Sequence, residues 1–495
     1  MAALPFLFTP IPPLIDVPGH IGRFAVQTAP SGGPLDQYFD FHWALTLNLA
    51  SDLVVQLLQP VMDVFASVWL VCASTAVLTC AGTLWVARAL NPRGGTTLPW
   101  ALLFVFNSPF LWGFLNFGLA TALALLALAA WVLLAGRPRR RSALFLAIAP
   151  LVLIGHGVSG ILLIAMIAGY EGWRLSSWHP GRWTRRELTR IAALWSPLLG
   201  GAVTLAVWKW VGAPGGGATR WLLYRKGEAL VTMLRDQNVV LDIGSVIACA
   251  TVWLVGRYWG ARLPGGSAGP VVAAAVLFVA TPSLISGSDR IDTRLAPYVA
   301  LLALVLQDWS AVEVRKRRVV AWAGSILLVT RLAITTVGFI GYDRHYAEEL
   351  TALEQVRDGS RVLNLTLVDC GIEGWRGARL DHLANLATPL RHAWVNAHWS
   401  IDGLQLLRVR YRPSPDYHRD PSHLIWPEQC IDRREPFARR DRHGLLESMR
   451  LLPIDRVDYL WLIGVRLPAS HADPRLRRIW ARRSSELYVV RRPSG

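Results

Sequence analysis

The chain has 495 residues, of which 53% are hydrophobic and 17% are charged, and several apolar runs approach the roughly 20 residues that a membrane-spanning helix needs. This composition excludes an ordinary soluble domain and indicates a polytopic membrane protein. The formal charge of +17 arises from 51 basic and 34 acidic residues. Much of the basic excess lies in short loops between apolar runs, as the positive-inside rule expects, which argues against nucleic acid as a partner.

The N-terminal segment combines a short apolar stretch with three polar residues. Residues 1–14 are too short and too rich in proline for a complete spanning helix, so we expect a truncated first span or partial entry into the membrane. Asp16, His20 and Arg23 follow closely. The intervening Pro18-Gly19 pair favours a turn over a helix.

Residues 45–59 carry leucines at helical spacing, with polar residues on the opposite face. This pattern predicts a helix that lies in the membrane interface, with its leucines towards the lipid and Asn48 and Asp52 away from it.

Ten apolar runs qualify as predicted spans. We place them at residues 61–87, 98–115, 118–135, 142–156, 158–173, 191–212, 241–256, 268–285, 295–310 and 319–341. Arginine-rich loops follow the first, third, fifth, seventh and ninth spans, so we assign these loops to the cytoplasm of a bacterial cell. Residues 1–60, the remaining connections and everything after Tyr342 then face the periplasm.

After Tyr342 the composition becomes mixed. Residues 344–358 have the pattern of an amphipathic helix, and residues 361–367, 459–465 and 486–490 have the pattern of strands. We therefore predict two domains. The first is a helical membrane domain at residues 1–342, with an outer loop and interfacial helix at 15–60, and the second is a small periplasmic α/β domain at 343–495.

Two of the five cysteines, Cys370 and Cys430, fall in this predicted outer domain. An oxidising compartment favours pairing, so we expect these two residues to be bonded or close in space.

Four stretches carry a family resemblance. They are DVPGHIGR at 16–23, LNLASD at 47–52, FLWGFLN at 110–116 and DRIDTRL at 289–295. Together with the predicted α/β outer domain, they resemble bacterial integral-membrane glycosyltransferases of the GT-C fold. The resemblance implies a GT-C-like helical bundle of about 10–11 spans and a polyprenyl-phosphate-linked sugar as donor. It also implies a carboxylate in the first outer loop that acts as catalytic base or lies beside a metal ion, and Asp16 is at the matching position.

The chemistry of sugar transfer leads to similar candidates. A base must take the proton of the acceptor hydroxyl, and Asp16 is the candidate, with His20 as a residue that could share a proton or a metal ion. Cations must stabilise the departing phosphate. The candidate substrate-binding residues are Arg23, His156, Arg220, Lys226, Asp289, Arg290 and Arg294.

Each candidate also has a structural interpretation. Arg220 and Lys226 could instead contact lipid headgroups. The residues Asp289, Arg290, Asp292 and Arg294 could pair among themselves and hold the end of a span. His156 could instead bond to a neighbouring helix. The histidines after Tyr342 lack compact metal-ligand spacing, so we expect them to be ordinary residues. Those considered are His382, His392, His398, His418 and His423. The sequence identifies no definite cofactor, and a divalent metal ion is the one that the candidates could hold.

The sequence thus predicts an inner-membrane enzyme of the cell envelope that moves a sugar from a polyprenyl phosphate to a glycan, lipid or protein acceptor at the periplasmic face. One alternative is a transporter or flippase of lipid-linked glycans, which would be expected to carry polar groups in the middle of several spans. Another is a non-catalytic subunit of an envelope polysaccharide complex. Membrane lipids are partners in all three cases.

The predicted topology can be tested with reporter fusions. A periplasmic reporter fused after residue 345 should be active, whereas the same reporter fused after residue 139 should be silent, because arginine-rich loops are retained in the cytoplasm. A reporter that is active only at residue 139 would reverse the orientation.

Overall fold

The computed structural model describes residues 1–176, 184–211, 218–285, 288–371, 373–401, 405–431, 443–471 and 473–492. The chain divides into two compact units. Unit 1 comprises residues 1–5, 45–54 and 70–336, and unit 2 comprises residues 6–44, 55–69 and 337–495. The predicted division at residue 342 stays a prediction, and residues 6–44 group with the C-terminal residues.

The described helices run in chain order through both units. They are α1 (Val17–Thr28), α2 (Ala50–Leu58), α3 (Val64–Leu90), α4 (Leu98–Leu102), α5 (Ser108–Leu111), α6 (Leu115–Leu133), α7 (Pro138–Gly155), α8 (Gly157–Ser176), α9 (Arg185–Trp210), α10 (Leu223–Thr232), α11 (Val239–Tyr258), α12 (Gly265–Ala280), α13 (Ala296–Val305), α14 (Val314–Leu350), α15 (Ala387–Arg391) and α16 (Leu445–Arg450).

Helical structure is present at each of the ten predicted spans. Among the described residues, four helical stretches are long and apolar enough to cross a membrane, which indicates a membrane protein. They are Val64–Leu90, Leu115–Gly136, Val239–Tyr258 and Val314–Gln355. The complete bundle of ten spans stays a prediction. Residues 177–183 of the third basic loop and residues 212–217 of the loop after the sixth span lie outside the described residues.

The second predicted span, at residues 98–115, is not one continuous helix. The Asn107 side chain accepts a hydrogen bond from Phe110 N at 3.0 Å, and it donates one to Phe104 O at 2.7 Å. Asn107 thereby caps α5, so a new helix begins where the apolar pattern predicted an uninterrupted one. Apolar composition could not reveal this break, because a side chain to backbone bond interrupts the helix.

The helix predicted at 45–59 is shorter in the structure, where α2 begins at Ala50 and ends at Leu58, and its polar residue Asp52 lies towards protein. Its position in a membrane interface stays a prediction. Asp52 is fully buried, and its Oδ2 accepts a hydrogen bond from Asn116 Nδ2 at 3.1 Å. Asn116 Oδ1 also accepts bonds from the backbone N–H and the hydroxyl of Ser51. Leu53 and Leu57 are the exposed residues. The exposure of these leucines fits a lipid-facing surface, whereas the polar residues are buried because Asn116 satisfies them.

Unit 2 contains the predicted sheet. Its strands are β1 (Phe39–Phe41), β2 (Arg361–Leu367), β3 (Trp394–Val395), β4 (Leu407–Val409), β5 (Leu424–Ile425), β6 (Tyr459–Ile463), β7 (Leu476–Arg482) and β8 (Ser485–Val490). The main order is β3-β2-β6-β8-β7, with β5 also paired to β2, while β1 and β4 form a separate antiparallel pair. Strand β2 is parallel to β3, β5 and β6, and β8 is antiparallel to β6 and β7.

The three strands predicted from the sequence are confirmed as β2, β6 and β8. Strand β6 is buried along its whole length, as expected for a strand covered on both faces. The amphipathic helix predicted at 344–358 is not separate. Helix α14 continues without a break to Leu350, and a 3-10 turn at Thr351–Gln355 follows.

The predicted pairing of Cys370 with Cys430 is confirmed as a disulfide with a Cα–Cα distance of 5.8 Å. The two cysteines are 60 residues apart in the sequence, so the bond closes a long loop within unit 2. In the chain-entropy model, a crosslink of this span stabilises the folded state by about 4 kcal/mol.

The double variant Cys370→Ser/Cys430→Ser should therefore unfold at a lower temperature than the wild-type chain when both are purified in detergent. A reducing agent should lower the unfolding midpoint of the wild type and leave that of the variant unchanged. Cys80→Ser removes a free cysteine and should leave the unfolding midpoint close to the wild-type value. Equal midpoints for the double variant and the wild type would show that the crosslink does not stabilise unit 2.

Candidate active site

Asp16 and His20 are positioned by α1, which is helical where the sequence predicted a turn. Helix α1 begins at Val17, so Pro18 falls in its first turn. A proline is tolerated there because the first N–H groups of a helix have no intrahelical acceptor. His20 N donates to Asp16 O at 2.9 Å, one helical turn away. The prediction of a turn was therefore wrong, and the two side chains share a face.

Two glycines allow α1 to pack closely against the segment that precedes β4. A Cβ atom on Gly19 would lie 2.6 Å from the Trp399 ring, and one on Gly22 would lie 2.7 Å from the Asn385 carbonyl oxygen. Both distances are shorter than real Cβ contacts allow. In the pattern PGHIG, Gly19 thus leaves room for the Trp399 ring and Gly22 allows the close approach of the Asn385 backbone.

Asp16 belongs to an acid–histidine cluster, which comprises Asp16, Asp381, His382, Asp420 and His423, all in unit 2. Asp16 stands at the start of α1 but makes no side-chain capping bond. Its Oδ1 lies 3.9 Å from His382 Nε2, and Asp381 Oδ1 lies 3.8 Å from the same nitrogen. Asp381 Oδ1 also accepts a hydrogen bond of 2.6 Å from His423 Nε2, while Asp420 Oδ1 lies 3.9 Å from His423 Nδ1.

Burial differs within the acid–histidine cluster. The side chains of His382 and His423 are 4% and 0% exposed, whereas the side chains of the three aspartates are between 16% and 23% exposed. The imidazoles are therefore inside unit 2, and the carboxylates reach its surface.

The electrostatic environment shifts the pKa values of Asp381 and Asp420 in opposite directions. Burial works to raise the pKa of Asp381, but the charges of His382 and His423 and the bond from His423 outweigh it and hold that pKa below its usual value. Burial raises the pKa of Asp420 against the opposing effect of both histidines. Asp381 is thus the stronger acid.

Next to the cluster, His398 is held neutral. Burial lowers the pKa of His398 to about 3, and the nearby His382 and His423 contribute to the same effect. Its Nε2 lies 2.8 Å from Thr388 Oγ1, which fixes the ring below α1. His398 therefore has a packing role and carries no charge at neutral pH.

Aromatic rings flank the cluster. The Trp399 ring lies between two histidines, with centroid distances of 5.1 Å to His20 and 4.4 Å to His382. Arg23 Nη2 lies 3.5 Å from His20 Nδ1, and its guanidinium carbon lies 4.4 Å from the Phe24 ring centre. Trp399 and His20 are half-buried, so their rings present an aromatic surface beside Asp16.

Three cluster residues have metal-ligand chemistry. One ligand atom from each of Asp381, His382 and His423 can be chosen so that all lie within 4.8 Å of one another, and this is the one such group among the described residues. The sequence pattern predicts ordinary roles for His382 and His423, and it does not reveal the group because about 40 residues separate the two. A local signal existed in the adjacent pair Asp381-His382 and in Asp420 three residues before His423.

The other predicted ligands lie in unit 1. His156 follows α7 directly, and Arg294 Nη1 lies 3.2 Å from its Nε2. The Arg294 guanidinium carbon lies 4.1 Å from the Phe114 ring centre. Arg290 lies 4.6 Å from the Trp112 ring centre, and both line a cleft of unit 1. The structure thus brings His156 and Arg294 together.

Three further predicted ligands of unit 1, Arg220, Lys226 and Asp289, have partners within that unit. Lys226 Nζ donates to Phe278 O, Thr281 O and Asp292 Oδ2 at 2.7 to 3.1 Å. These bonds occupy all three ammonium hydrogens, which favours a structural role for Lys226.

The others are more accessible. Asp289 pairs with Arg225, and Arg290 Nη1 lies 3.5 Å from Glu228 Oε1. Arg220 bonds through its backbone to Leu284, and its side chain is exposed. Asp289 and Arg290 are thus paired with residues of α10 rather than with each other, as the structural interpretation had expected.

Comparison with known proteins adds one structural likeness. No protein-family model matches the chain, and no curated protein matches its sequence. Among solved structures, the cryo-EM structure of arabinofuranosyltransferase AftD from Mycobacteria aligns with 99% of the chain at 16% identity and a TM-score of 0.44. The chain spans 39% of the length of that protein. A similarity of this extent assigns no function to the chain.

The close approach of α1 predicts the effect of a small substitution. Gly22→Ala should destabilise the chain by about 1–3 kcal/mol, because the new methyl group meets the Asn385 backbone, which cannot turn away as a side chain could. Thermal unfolding of the detergent-purified chain measures this change. Gly227→Ala in α10 is the matched control, because a Cβ there meets nothing within 4 Å, and it should be neutral or slightly stabilising. Equal effects of the two substitutions would contradict the packing argument.

Proposed function

We propose that the chain is a membrane glycosyltransferase that moves a sugar from a polyprenyl-phosphate donor to an acceptor hydroxyl, with Asp16 as general base. One observation carries the proposal. The Asp16 carboxylate makes no capping bond to α1 and instead lies 3.9 Å from His382, within a partly exposed group of acids, imidazoles and an indole. Such a group can accept a proton and hold a sugar ring.

The proposed reaction is a single displacement at the anomeric carbon. Asp16 takes the proton of the acceptor hydroxyl while the acceptor oxygen forms the new glycosidic bond. The bond between the anomeric carbon and the phosphate oxygen breaks, and the polyprenyl phosphate leaves with the electron pair. Arg23 is the proposed cation for this phosphate, and His20 orients Arg23 through their contact at 3.5 Å.

Aromatic stacking is the proposed means of sugar binding. The exposed parts of Trp399 and His20 offer flat apolar faces that suit the apolar face of a pyranose or furanose ring. In unit 1, His156, Arg290 and Arg294 remain proposed ligands of an anionic lipid headgroup, because two of them are guanidinium groups beside aromatic rings.

The disulfide supports the proposed location. Disulfides persist in oxidising compartments, so the Cys370–Cys430 bond favours a periplasmic position for unit 2 of an inner-membrane protein. Lipid-linked sugars at the periplasmic face would then be available as donors, with a glycan, lipid or protein as acceptor.

Substitution of the base tests the proposal. Asp16→Asn keeps the shape but removes the basicity, so release of polyprenyl phosphate should fall by about a hundredfold or more, while binding of the donor persists. The probe is a panel of radiolabelled undecaprenyl-phosphate sugars, incubated with membranes that contain the chain. Turnover is measured as labelled product and free lipid phosphate.

Asp40→Asn is the matched control for this test. Asp40 is another aspartate of the N-terminal segment, and it also lies beside a histidine, with Oδ2 at 2.8 Å from His42 Nε2, but it is not in the acid–histidine cluster. The control should keep wild-type turnover. Wild-type turnover in Asp16→Asn would end the assignment of the base. Movement of intact lipid-linked sugar across vesicles, without turnover of any donor, would instead identify a transporter.

A further inference from the structure

We propose that Asp381, His382 and His423 bind one divalent transition-metal ion, with Zn²⁺ as the preferred ion. The three ligand atoms come from two segments of unit 2 and lie within 4.8 Å of one another. Two imidazole nitrogens and one carboxylate oxygen form a donor set that is common in zinc sites with an open fourth position.

The distances suit a tetrahedral ion. Metal bonds of 2.0–2.2 Å at tetrahedral angles place neighbouring ligand atoms about 3.4 Å apart. Asp381 Oδ1 lies 2.6 Å from His423 Nε2 and 3.8 Å from His382 Nε2, which are values on either side of that spacing. These two distances therefore bracket the spacing of a tetrahedral site.

Unpartnered nitrogens provide a second, independent observation. The Nδ1 atoms of His382 and His423 are both buried and have no hydrogen-bond partner in the described part of the chain. The Nε2 of His382 lies near two carboxylates, but at 3.8 and 3.9 Å it is beyond hydrogen-bond distance of either. A buried imbalance of this kind costs free energy unless a ligand resolves it.

A metal ion would decide which nitrogen of His423 carries the proton. When Nε2 binds the ion, the ring proton moves to Nδ1, and Asp420 Oδ1 lies 3.9 Å from that nitrogen. Histidines that bind metals commonly donate their other N–H to a carboxylate, which fixes the orientation of the ring. An approach of about 1 Å would bring Asp420 within hydrogen-bond distance and make it the orienting partner of His423.

The charges in the cluster also favour a cation. Three carboxylates, Asp16, Asp381 and Asp420, face two imidazoles, so neutral histidines leave a net charge of −3. A divalent ion compensates most of this charge in a partly buried environment. Nearby Arg419 bonds through its guanidinium to the Ser400 carbonyl oxygen. A fully protonated pair of histidines without metal is the competing arrangement.

The metal site goes beyond the proposed function and does not depend on it. Asp16 Oδ1 lies 3.9 Å from the Nε2 ligand atom of His382, so the open position of the ion is adjacent to the proposed base. An oxygen bound there would be polarised by the ion. The ion would therefore also orient the acid that faces it.

Metal content of the full-length chain tests the proposal. The chain is purified in detergent, stripped with a chelator, supplied with Zn²⁺ and desalted, and zinc per chain is measured by elemental analysis. The wild type should retain one ion per chain. His382→Ala and His423→Ala should each weaken Zn²⁺ binding by about a hundredfold or more, because each removes a direct ligand.

His392→Ala is the matched control variant. His392 is a half-exposed histidine of unit 2 whose Nδ1 pairs with Asp358 at 2.8 Å, so this variant should bind zinc like the wild type. An intact disulfide and an unchanged gel-filtration volume identify the variants that are correctly folded.

A measurement without any variant covers the case in which the substitutions prevent folding. Co²⁺ added to the stripped wild type should give the intense visible absorption of a tetrahedral site, and Zn²⁺ should abolish it. Wild-type protein that retains no zinc and shows no such absorption would overturn the proposal and leave the ion-paired arrangement. Because no sugar donor is present, this failure is distinct from a failure of Asp16 as base.

Discussion

The close approach of α1 to the segment around residues 382–399 is the constraint on which the candidate site depends. Gly22 approaches the Asn385 carbonyl oxygen, and Gly19 approaches the Trp399 ring, at distances that a Cβ atom would prevent. Asp16 and His20 are carried at the start of the same helix. A residue larger than glycine at either position would move the N-terminal acid away from the C-terminal histidines, although each segment could still fold locally.

Burying acids and imidazoles together costs free energy, and contacts within unit 2 offset this cost in several ways. His423 donates to Asp381 at 2.6 Å, and His398 is kept neutral by burial and bonds to Thr388. The pKa of Asp381 is lowered and that of Asp420 is raised, so two similar carboxyl groups have different acidities because of their surroundings. Such differences are frequent where side chains have chemical roles, and structural ion pairs also produce them.

In unit 1, charged side chains among apolar helices form direct ion pairs. Arg141 bonds to Glu171 at 2.8 Å between α7 and α8, and Arg331 bonds to Asp242 at 2.8 Å between α14 and α11, with all four side chains buried. Charges among apolar helices are costly unless they are paired. Asp292 of the late DRIDTRL motif follows the same rule with Lys226. The motif therefore contains at least one residue whose role is to hold the end of a helix.

The sequence by itself determined what local patterns control. Apolar runs predicted the helices, alternating apolar residues predicted β2, β6 and β8, and the outer-domain cysteines predicted the disulfide, because each signal depends on neighbouring residues or on the compartment. Only the tertiary structure decided the rest. It made α1 a helix despite Pro18-Gly19, buried the polar face of α2, and brought Asp16, His382 and His423 together from three distant segments. Contacts between residues hundreds of positions apart leave no periodicity in a single sequence, because they arise from packing.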